Sequence, residues 1–473
     1  MLIPSNTTCY DELRRCLAYW GLGSSSLKSF RTIAVFIMQN AVAKRDFGSF
    51  QSSNVQELLQ LPEEEYVAPD IKIELPEFVS SKSLEIEFGL PAKRKYFLLE
   101  EECTFLNHGA FGAVLSNILD LSHRWQKYME RQPLRFLDKE IFPHLVYVTR
   151  RLAKFVGCDP TDILLVTNVT TATNSILRGI KFKPGDIIYS LNLTYGAVKK
   201  LLKHIAEETG AIIQEETIII PIEGAHQIIN KVKSTIKSGT KIAVFDHVPS
   251  NAPFIMPIKE LIAVCHERSV PVFIDGAHAL GSLPINLHDI GADYYSSNAH
   301  KWFCSPKGAA FLYVRKELQK SVRPLVISHG FGSGFNSEFM WSGLKDYSPF
   351  LVLPTIIDFW EAVGLKKMRG YMYNLTEQAA NMLVERLGTR LGAPVSMFGT
   401  MALVALPKRL YTNREVNYDL AESIQKKLSS RFSIEVPIKS IQGILYVRIS
   451  CHIHNEISEY EYLAECLLKL DNE

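Results

Sequence analysis

The sequence predicts an α/β fold: a large domain on a mostly parallel seven-stranded sheet, followed by a smaller C-terminal α/β domain. Three observations lead there. Short β-branched runs alternate with amphipathic helical patterns from about residue 140 onward. One of those runs, Val270-Pro271-Val272-Phe273-Ile274, ends in an acid, Asp275, where a parallel sheet gathers its ligands beyond the carboxyl ends of the strands. After Pro349 the pattern changes to long amphipathic stretches and a short α/β segment.

Residues 1–90 show weak periodicity, a serine patch (Ser24-Ser25-Ser26) and an acidic stretch after Pro62. They are expected to form an N-terminal extension, partly disordered, with one or two short helices. From Arg14 to Arg45 there is no acid while Arg, Lys and Ser recur, a faint likeness to an organelle transit segment that Asp11 and Glu12 oppose. The expected location is the cytoplasm, with a mitochondrial or plastid destination as the alternative. The large domain is expected at 91–348, with strands at 163–166, 187–190, 211–214, 241–245, 271–274, 294–297 and 309–314. Helical patterns at 171–180, 196–208, 225–237 and 258–268 fill the intervals and cover both faces of the sheet. The small domain is expected at 349–473. It opens with amphipathic stretches at 350–365 and 368–387, followed by strands near 402–405 and 443–449 and helices near 415–429 and 458–470.

Composition excludes several classes. A chain of 473 residues with 47% hydrophobic residues can bury a large core. A formal charge of +2 argues against nucleic acid or a membrane surface as the main partner. No apolar run approaches the roughly 20 residues that span a bilayer. The eight cysteines have no repeated spacing, as expected of reduced thiols.

The chemistry concentrates around Lys301, in Ser297-Asn298-Ala299-His300-Lys301-Trp302. A lysine among small and polar residues, paired with an acid at the end of a buried strand, suits pyridoxal phosphate. That cofactor needs a lysine to hold it as an imine and an acid to keep its pyridine nitrogen protonated. Thr167-Asn168-Val169-Thr170-Thr171 follows a strand and opens a helix, so it can bind an anion such as a phosphate or serve as a plain helix cap. Arg448 stands inside the apolar strand Leu445-Tyr446-Val447-Arg448-Ile449; either a structural ion pair or a substrate carboxylate would satisfy it. His452 and His454 share one strand face and are expected to be solvated, with no metal. Cys304 is expected to be a packed thiol. Gly330-Phe331-Gly332-Ser333-Gly334 lacks the strand–helix frame of a nucleotide loop and is expected to be an active-site loop.

Further stretches complete a pattern: Phe105-Leu106-Asn107-His108-Gly109-Ala110-Phe111-Gly112, Thr194-Tyr195-Gly196, Asp246-His247-Val248-Pro249-Ser250 and Asp275-Gly276-Ala277-His278. With the lysine and arginine stretches, and in this order, they resemble the class V aminotransferase superfamily of fold-type-I pyridoxal phosphate enzymes. The likeness is to its isopenicillin N epimerase-like branch and extends to cysteine desulfhydrase-like members. The resemblance covers the chain from about 103 to the C-terminus and implies roles. Lys301 would carry the cofactor and shuttle the α-proton. Asp275 would pair with the pyridine nitrogen, His278 would lie near the phenolic oxygen, and Tyr195 would stack on the ring. Val169 and Thr170 would bind the phosphate, helped by Asn298 and His300. Arg448 would hold the carboxylate of a small amino-acid substrate, with Asn107 and His108 at the mouth of the site. A homodimer with each site near the interface is implied. One position departs from the family pattern: in Trp341-Ser342-Gly343-Leu344-Lys345-Asp346, relatives carry a threonine that reaches a neighbouring subunit's phosphate where this chain has Leu344. Leucine cannot hydrogen-bond, and Ser342 is the candidate to compensate.

The same α-proton loss can begin several reactions. β-Elimination from cysteine or a cysteine conjugate needs no thiol on the enzyme and is the favoured reading. A cysteine desulfurase would need a loop thiol to accept sulfur, and there is no cysteine between Pro306 and Cys451. Epimerisation, transamination and a non-catalytic homologue are the alternatives, the last prompted by Leu344.

Overall fold

The computed structural model describes residues 54–471. A two-residue strand, β1 (Thr104–Phe105), precedes the central sheet. That sheet comprises β2 (Ile163–Val166), β3 (Ile187–Leu191), β4 (Ile212–Glu216), β5 (Thr240–Asp246), β6 (Val272–Asp275), β7 (Tyr294–Asn298) and β8 (Ala310–Val314). Their spatial order is β2-β8-β7-β6-β5-β3-β4. Only β8 runs against its neighbours, β2 and β7; every other adjacent pair is parallel. The carboxyl ends of β3, β5, β6 and β7 therefore share one rim. The central strands β6, β7 and β8 are buried along their whole length, as continuous apolar runs must be when helices cover both faces. At the edge, β4 reads Ile-Ile-Gln-Glu-Glu and is partly exposed, a polar ending that discourages pairing with another chain.

The small domain holds β9 (Met401–Ala405), β11 (Ile438–Ile441) and β12 (Ile444–Ser450) in an antiparallel sheet ordered β11-β12-β9. Helices Leu365–Leu387, Tyr418–Phe432 and Ile457–Asp471 belong to the same domain. The intervening β10 (Ile434–Glu435) pairs in parallel with β1, Thr104 opposite Ile434. Gly89 N–H donates to the Ile453 carbonyl (2.8 Å), Leu106 N–H to Glu435 (2.9 Å) and Ser450 N–H to Leu106 (3.0 Å). The segment 89–106 is thus tied to the small domain, across the boundary expected at 91.

The expected N-terminal extension needs a second correction. Residues 54–90 are part of the body. Helix Val55–Gln60 buries Val55, Leu58 and Leu59. Arg150, on helix Ile141–Val156, donates to the carbonyls of Leu58 (3.2 Å), Leu59 (3.3 Å) and Leu61 (2.8 Å) that the helix end leaves open. Its other arm pairs with Glu63 at 2.9 Å, and its guanidinium lies over the Tyr66 ring. Phe78 meets Phe359 edge-on. A six-residue helix in an otherwise irregular strap is too short to print a period in the sequence, which is why the stretch reads as an appendage. The serine patch and the acid-free stretch at 14–45 lie outside the described residues. Within the described residues no single helix is long and apolar enough to cross a membrane, and Cys103, Cys158, Cys265, Cys304, Cys451 and Cys466 are free thiols.

Candidate active site

The rim gathers the reactive groups. β6 delivers Asp275 as its last residue, and β7 ends at Asn298, three residues before Lys301. Asp275 is buried and accepts the Ala277 N–H at 2.9 Å. Lys301 Nζ lies 3.2 Å from His278 Nε2, and Trp302 Nε1 donates to His278 Nδ1 at 3.2 Å. The indole N–H has no lone pair to offer, so His278 Nδ1 must be bare and Nε2 must carry the proton. Nε2–H then faces the lysine amine, which has to be neutral to accept it. Burial makes that state accessible. It lowers the Lys301 pKa to about 8, although Asp275 pulls the other way. Burial, with Lys301 and Arg448 nearby, holds His278 well below the usual imidazole range. A neutral amine is the form that attacks an aldehyde. Gly112 shows how tightly the backbone closes on this lysine: its φ is +68°, and a Cβ there would stand 2.1 Å from the His300 carbonyl oxygen and 2.8 Å from Lys301 Cα.

Sequence reasoning did not give Asp246 a role. It ends β5 directly beside Asp275 in register, and both are buried. Two carboxylates on neighbouring strands in a dry site cannot both ionise. Burial, and then Asp275, push Asp246 well above the usual carboxylate range, so the proton of the pair belongs on Asp246. Asp275 is also raised by burial, but the Ala277 N–H and Lys301 favour its anion. Asp246 also accepts the backbone N–H of Tyr195, tying that residue to the rim. The signal for Asp246 was present in the sequence: an apolar run ending in an acid, as at Asp275.

At the neighbouring helix start, Asn168 caps helix Val169–Leu177 by accepting from Thr171 N–H (2.8 Å). Val169 N–H donates to Asn298 Oδ1 at 3.1 Å, so these two expected phosphate ligands engage each other, while Thr170 stands exposed. His300 is half-buried and held to a pKa of about 4, first by burial and then by Lys301 and Lys307. Its Nδ1 is a buried atom without a partner, and so is the Thr194 hydroxyl next to Tyr195. Tyr195 itself is 45% exposed.

From the small domain, β12 points Arg448 at the same site. The side chain is 2% exposed. Nη1 donates to the Ser250 carbonyl (2.7 Å) and hydroxyl (3.2 Å), and Nη2 to Asn107 Oδ1 (2.8 Å). Nε is buried with no partner. Burial alone lowers the guanidinium to about 10. A buried cation with only neutral partners lacks its anion. Asn107 is therefore part of the arginine clamp.

Two expectations are overturned by burial. His108, expected at the mouth, is completely buried; its Nε2 faces the Lys301 carbonyl at 3.1 Å and its Nδ1 faces His454 Nε2 at 3.1 Å. His452 and His454, expected on a solvated face, are buried as well, with Phe97 edge-on to both. Long-range packing under Lys301 decides this, and strand alternation cannot foresee it. Cys304 lies 3.5 Å from His452 Nε2, and burial pushes its thiol far up, which suits a packed thiol. His108, His452 and Cys304 lie close enough to suggest a metal site. The two imidazoles, however, stack nearly parallel at 4.0 Å and 12°. An imidazole binds a metal in its own plane, so rings stacked this way cannot share one ion.

Residues 111–461 match the family model described as aminotransferase class-V. The chain belongs to this family. It is 34% identical over 402 residues to a protein named putative L-cysteine desulfhydrase 1 from Oryza sativa subsp. japonica, covering 77% of this chain and 82% of that one. It is 28% identical to isopenicillin N epimerase from Streptomyces clavuligerus, over 80% of this chain and 98% of the relative. A solved complex between the cystine C–S lyase C-DES and its reaction product, cysteine persulfide, superposes with a TM-score of 0.66 at 19% identity, covering 79% and 98% of the two chains. The fold is the fold-type-I fold of class V aminotransferases, and pyridoxal 5′-phosphate is the cofactor of such enzymes.

The residues present fit that cofactor. Lys301 is a buried amine of lowered pKa, Asp275 a buried acid on the same rim, the Thr194 hydroxyl a buried donor awaiting an acceptor, and His300 Nδ1 a buried ring nitrogen without a partner. Each such orphan costs about 1–3 kcal/mol unless a ligand meets it. At the position that departs from the family pattern, Leu344 is 72% exposed, and the Ser342 hydroxyl accepts from Lys345 Nζ at 3.4 Å.

Proposed function

We propose that this class V aminotransferase family member is a β-eliminating C–S lyase that acts on cysteine or a cysteine conjugate. The observation that carries the reading is the buried Arg448, clamped by Ser250 and Asn107 and lacking an anion, beside a lysine of lowered pKa. Its planar fork suits an α-carboxylate in two-point contact. Bound pyridoxal phosphate supplies the electron sink for α-proton loss. Lys301, as a neutral amine, takes that proton, and His278 holds the amine's orientation through Nε2 while Trp302 fixes His278. Asp275 keeps a negative charge for the cofactor's ring nitrogen because Asp246 holds the pair's proton. Val169, Thr170, Asn298 and His300 would hold the phosphate, and Tyr195 would cover the ring.

With cysteine, the C–S bond breaks and the balance is cysteine plus water to sulfide, pyruvate and ammonia. The names of the plant relatives support this, and so does the absence of any cysteine between Pro306 and Cys451 that could accept sulfur. Epimerisation is the second reading, supported by the relatives named isopenicillin N epimerase. An amino-acid panel assayed together for sulfide, pyruvate, ammonia and stereochemistry separates them. Stoichiometric sulfide and pyruvate from L-cysteine is the expected result, and α-inversion without sulfide would replace the lyase reading with the epimerase.

We further propose a homodimer in which the second copy covers the site entrance. Phe111, Phe331 and Leu344 are large apolar residues exposed in one chain, and Phe111 directly precedes Gly112, which packs on Lys301. An active monomer in sedimentation would refute this. The free thiols support a reducing compartment, in our reading the cytoplasm.

A further inference from the structure

Arg448 is not the only cation on its sheet face. In the antiparallel pair β11–β12, Ile438 is opposite Val447 and Lys439 is opposite Tyr446, while Arg448 N–H donates to the Pro437 carbonyl at 3.1 Å. Side chains alternate along a strand, so Lys439, Tyr446 and Arg448 share one face, and Ile438, Val447 and Ile449 point to the other, buried in the core. The shared face is the one from which Arg448 reaches Ser250 and Asn107 in the large domain. Lys439 is the diagonal neighbour of Arg448, a spacing of about 7–8 Å that long side chains bridge easily.

The charges here do not balance. Arg448 has only neutral partners, and Lys439 has neither an ion pair nor a hydrogen bond among the described residues. Burial, and then the charge of Arg448, lower the Lys439 pKa to about 8. A single α-carboxylate answers one cation. A buried arginine and a partly buried lysine on one face, neither with a protein anion, suit a ligand with a second anionic group. In a cysteine conjugate, the α-carboxylate and a second carboxylate one methylene beyond the sulfur stand roughly 6 Å apart, within the reach of two long side chains rooted at diagonal strand positions about 7–8 Å apart.

We propose that Lys439 is a specificity-determining residue that holds an acidic group on the substrate's side chain, so that the preferred substrate is a cysteine conjugate whose sulfur carries a carboxylate-bearing substituent. This rests on the lyase reading for the fate of the sulfur, but the recognition of charge stands apart from it. Cleavage would release the acidic thiol, pyruvate and ammonia at the expense of one water.

The test compares S-carboxymethyl-L-cysteine with S-carbamoylmethyl-L-cysteine, nearly isosteric compounds that differ in charge. With the holoenzyme, kcat/KM for the acid should exceed that for the amide by about tenfold or more, the factor given by one charge-assisted hydrogen bond. Lys439→Met should bring the ratio close to one, and Lys439→Arg should keep most of it. Calorimetric affinities for the same pair give a readout that needs no turnover. If neither compound releases pyruvate but the acid still binds more tightly and Lys439→Met removes the difference, the lyase reading fails and the role of Lys439 stands. An acid-to-amide ratio near one in the parent, or a ratio unchanged in Lys439→Met, overturns the proposal. The cofactor absorbance of each variant shows that the site is assembled.

Discussion

The two sides of the site use burial in opposite ways. On the large-domain rim every reactive group faces a counter-group within the protein: Lys301 meets His278, His278 meets Trp302, and Asp275 has a backbone donor and the proton-bearing Asp246 beside it. On the small-domain face Arg448 and Lys439 are withdrawn from water with no protein anion. The first arrangement sets protonation states before anything binds. The second leaves a deficit that only a ligand can fill. Reactivity is built from compensated burial and recognition from uncompensated burial.

The difference can be broken at several points. Lys301→Ala should remove the covalent cofactor and lower turnover by roughly 10³-fold or more, and borohydride labelling of the parent should mark the peptide containing Lys301; a label on another lysine would refute the assignment. Asp275→Asn should cut α-proton exchange by roughly 10²-fold or more, because the anion is lost, whereas Asp246→Asn should stay within about threefold, since an amide resembles the protonated acid. Equal losses in the two variants, measured by deuterium exchange, would mean that the pair's proton is not localised on Asp246. Arg448→Lys should weaken amino-acid binding by about 2–4 kcal/mol while the cofactor spectrum persists; loss of the cofactor would make Arg448 a structural residue.

A pH experiment sharpens the same contrast. In the apoprotein the amine of Lys301 must lose its proton before it can capture pyridoxal phosphate. Burial lowers that pKa to about 8, so capture should accelerate as pH rises and level off near 8. A rate still climbing at pH 10 would show an ordinary, solvated lysine. The smallest effect is expected from Trp302→Phe, which removes the donor that fixes the His278 tautomer. A few-fold loss in rate should come with a new dependence on pH, because His278 Nδ1, freed of its donor, can take up a proton.

Legibility from sequence followed burial. The strands of the central sheet fall within about two residues of their expected ranges, because residues covered on both faces write unbroken apolar runs. The largest shift is at β4, where Glu215 and Glu216 extend the edge strand into a polar stretch that does not read as strand. The stretch expected as one helix at 350–365 is two, Ser348–Leu351 and Leu353–Val363, with a proline at the start of each. Lys301, Asp275 and Arg448 stood out because a charge in an apolar context is a local signal. His108, His452 and His454 were misread because their burial comes from Phe97, Trp302 and one another, through contacts that reach across 150 residues to Trp302 and 346 residues between His108 and His454.

The pairing of β1 with β10 gives the molecule a timetable. Thr104 and Phe105 find their strand about 330 residues downstream, roughly half a minute of synthesis at common ribosomal rates. Until then the central sheet can assemble with Asp275 and Lys301 in place, but Asn107, two residues past β1, has no Arg448 to grip. The nascent chain can thus finish its reactive rim before it can recognise anything. Selectivity arrives last, when the C-terminal strand closes over a segment made near the beginning.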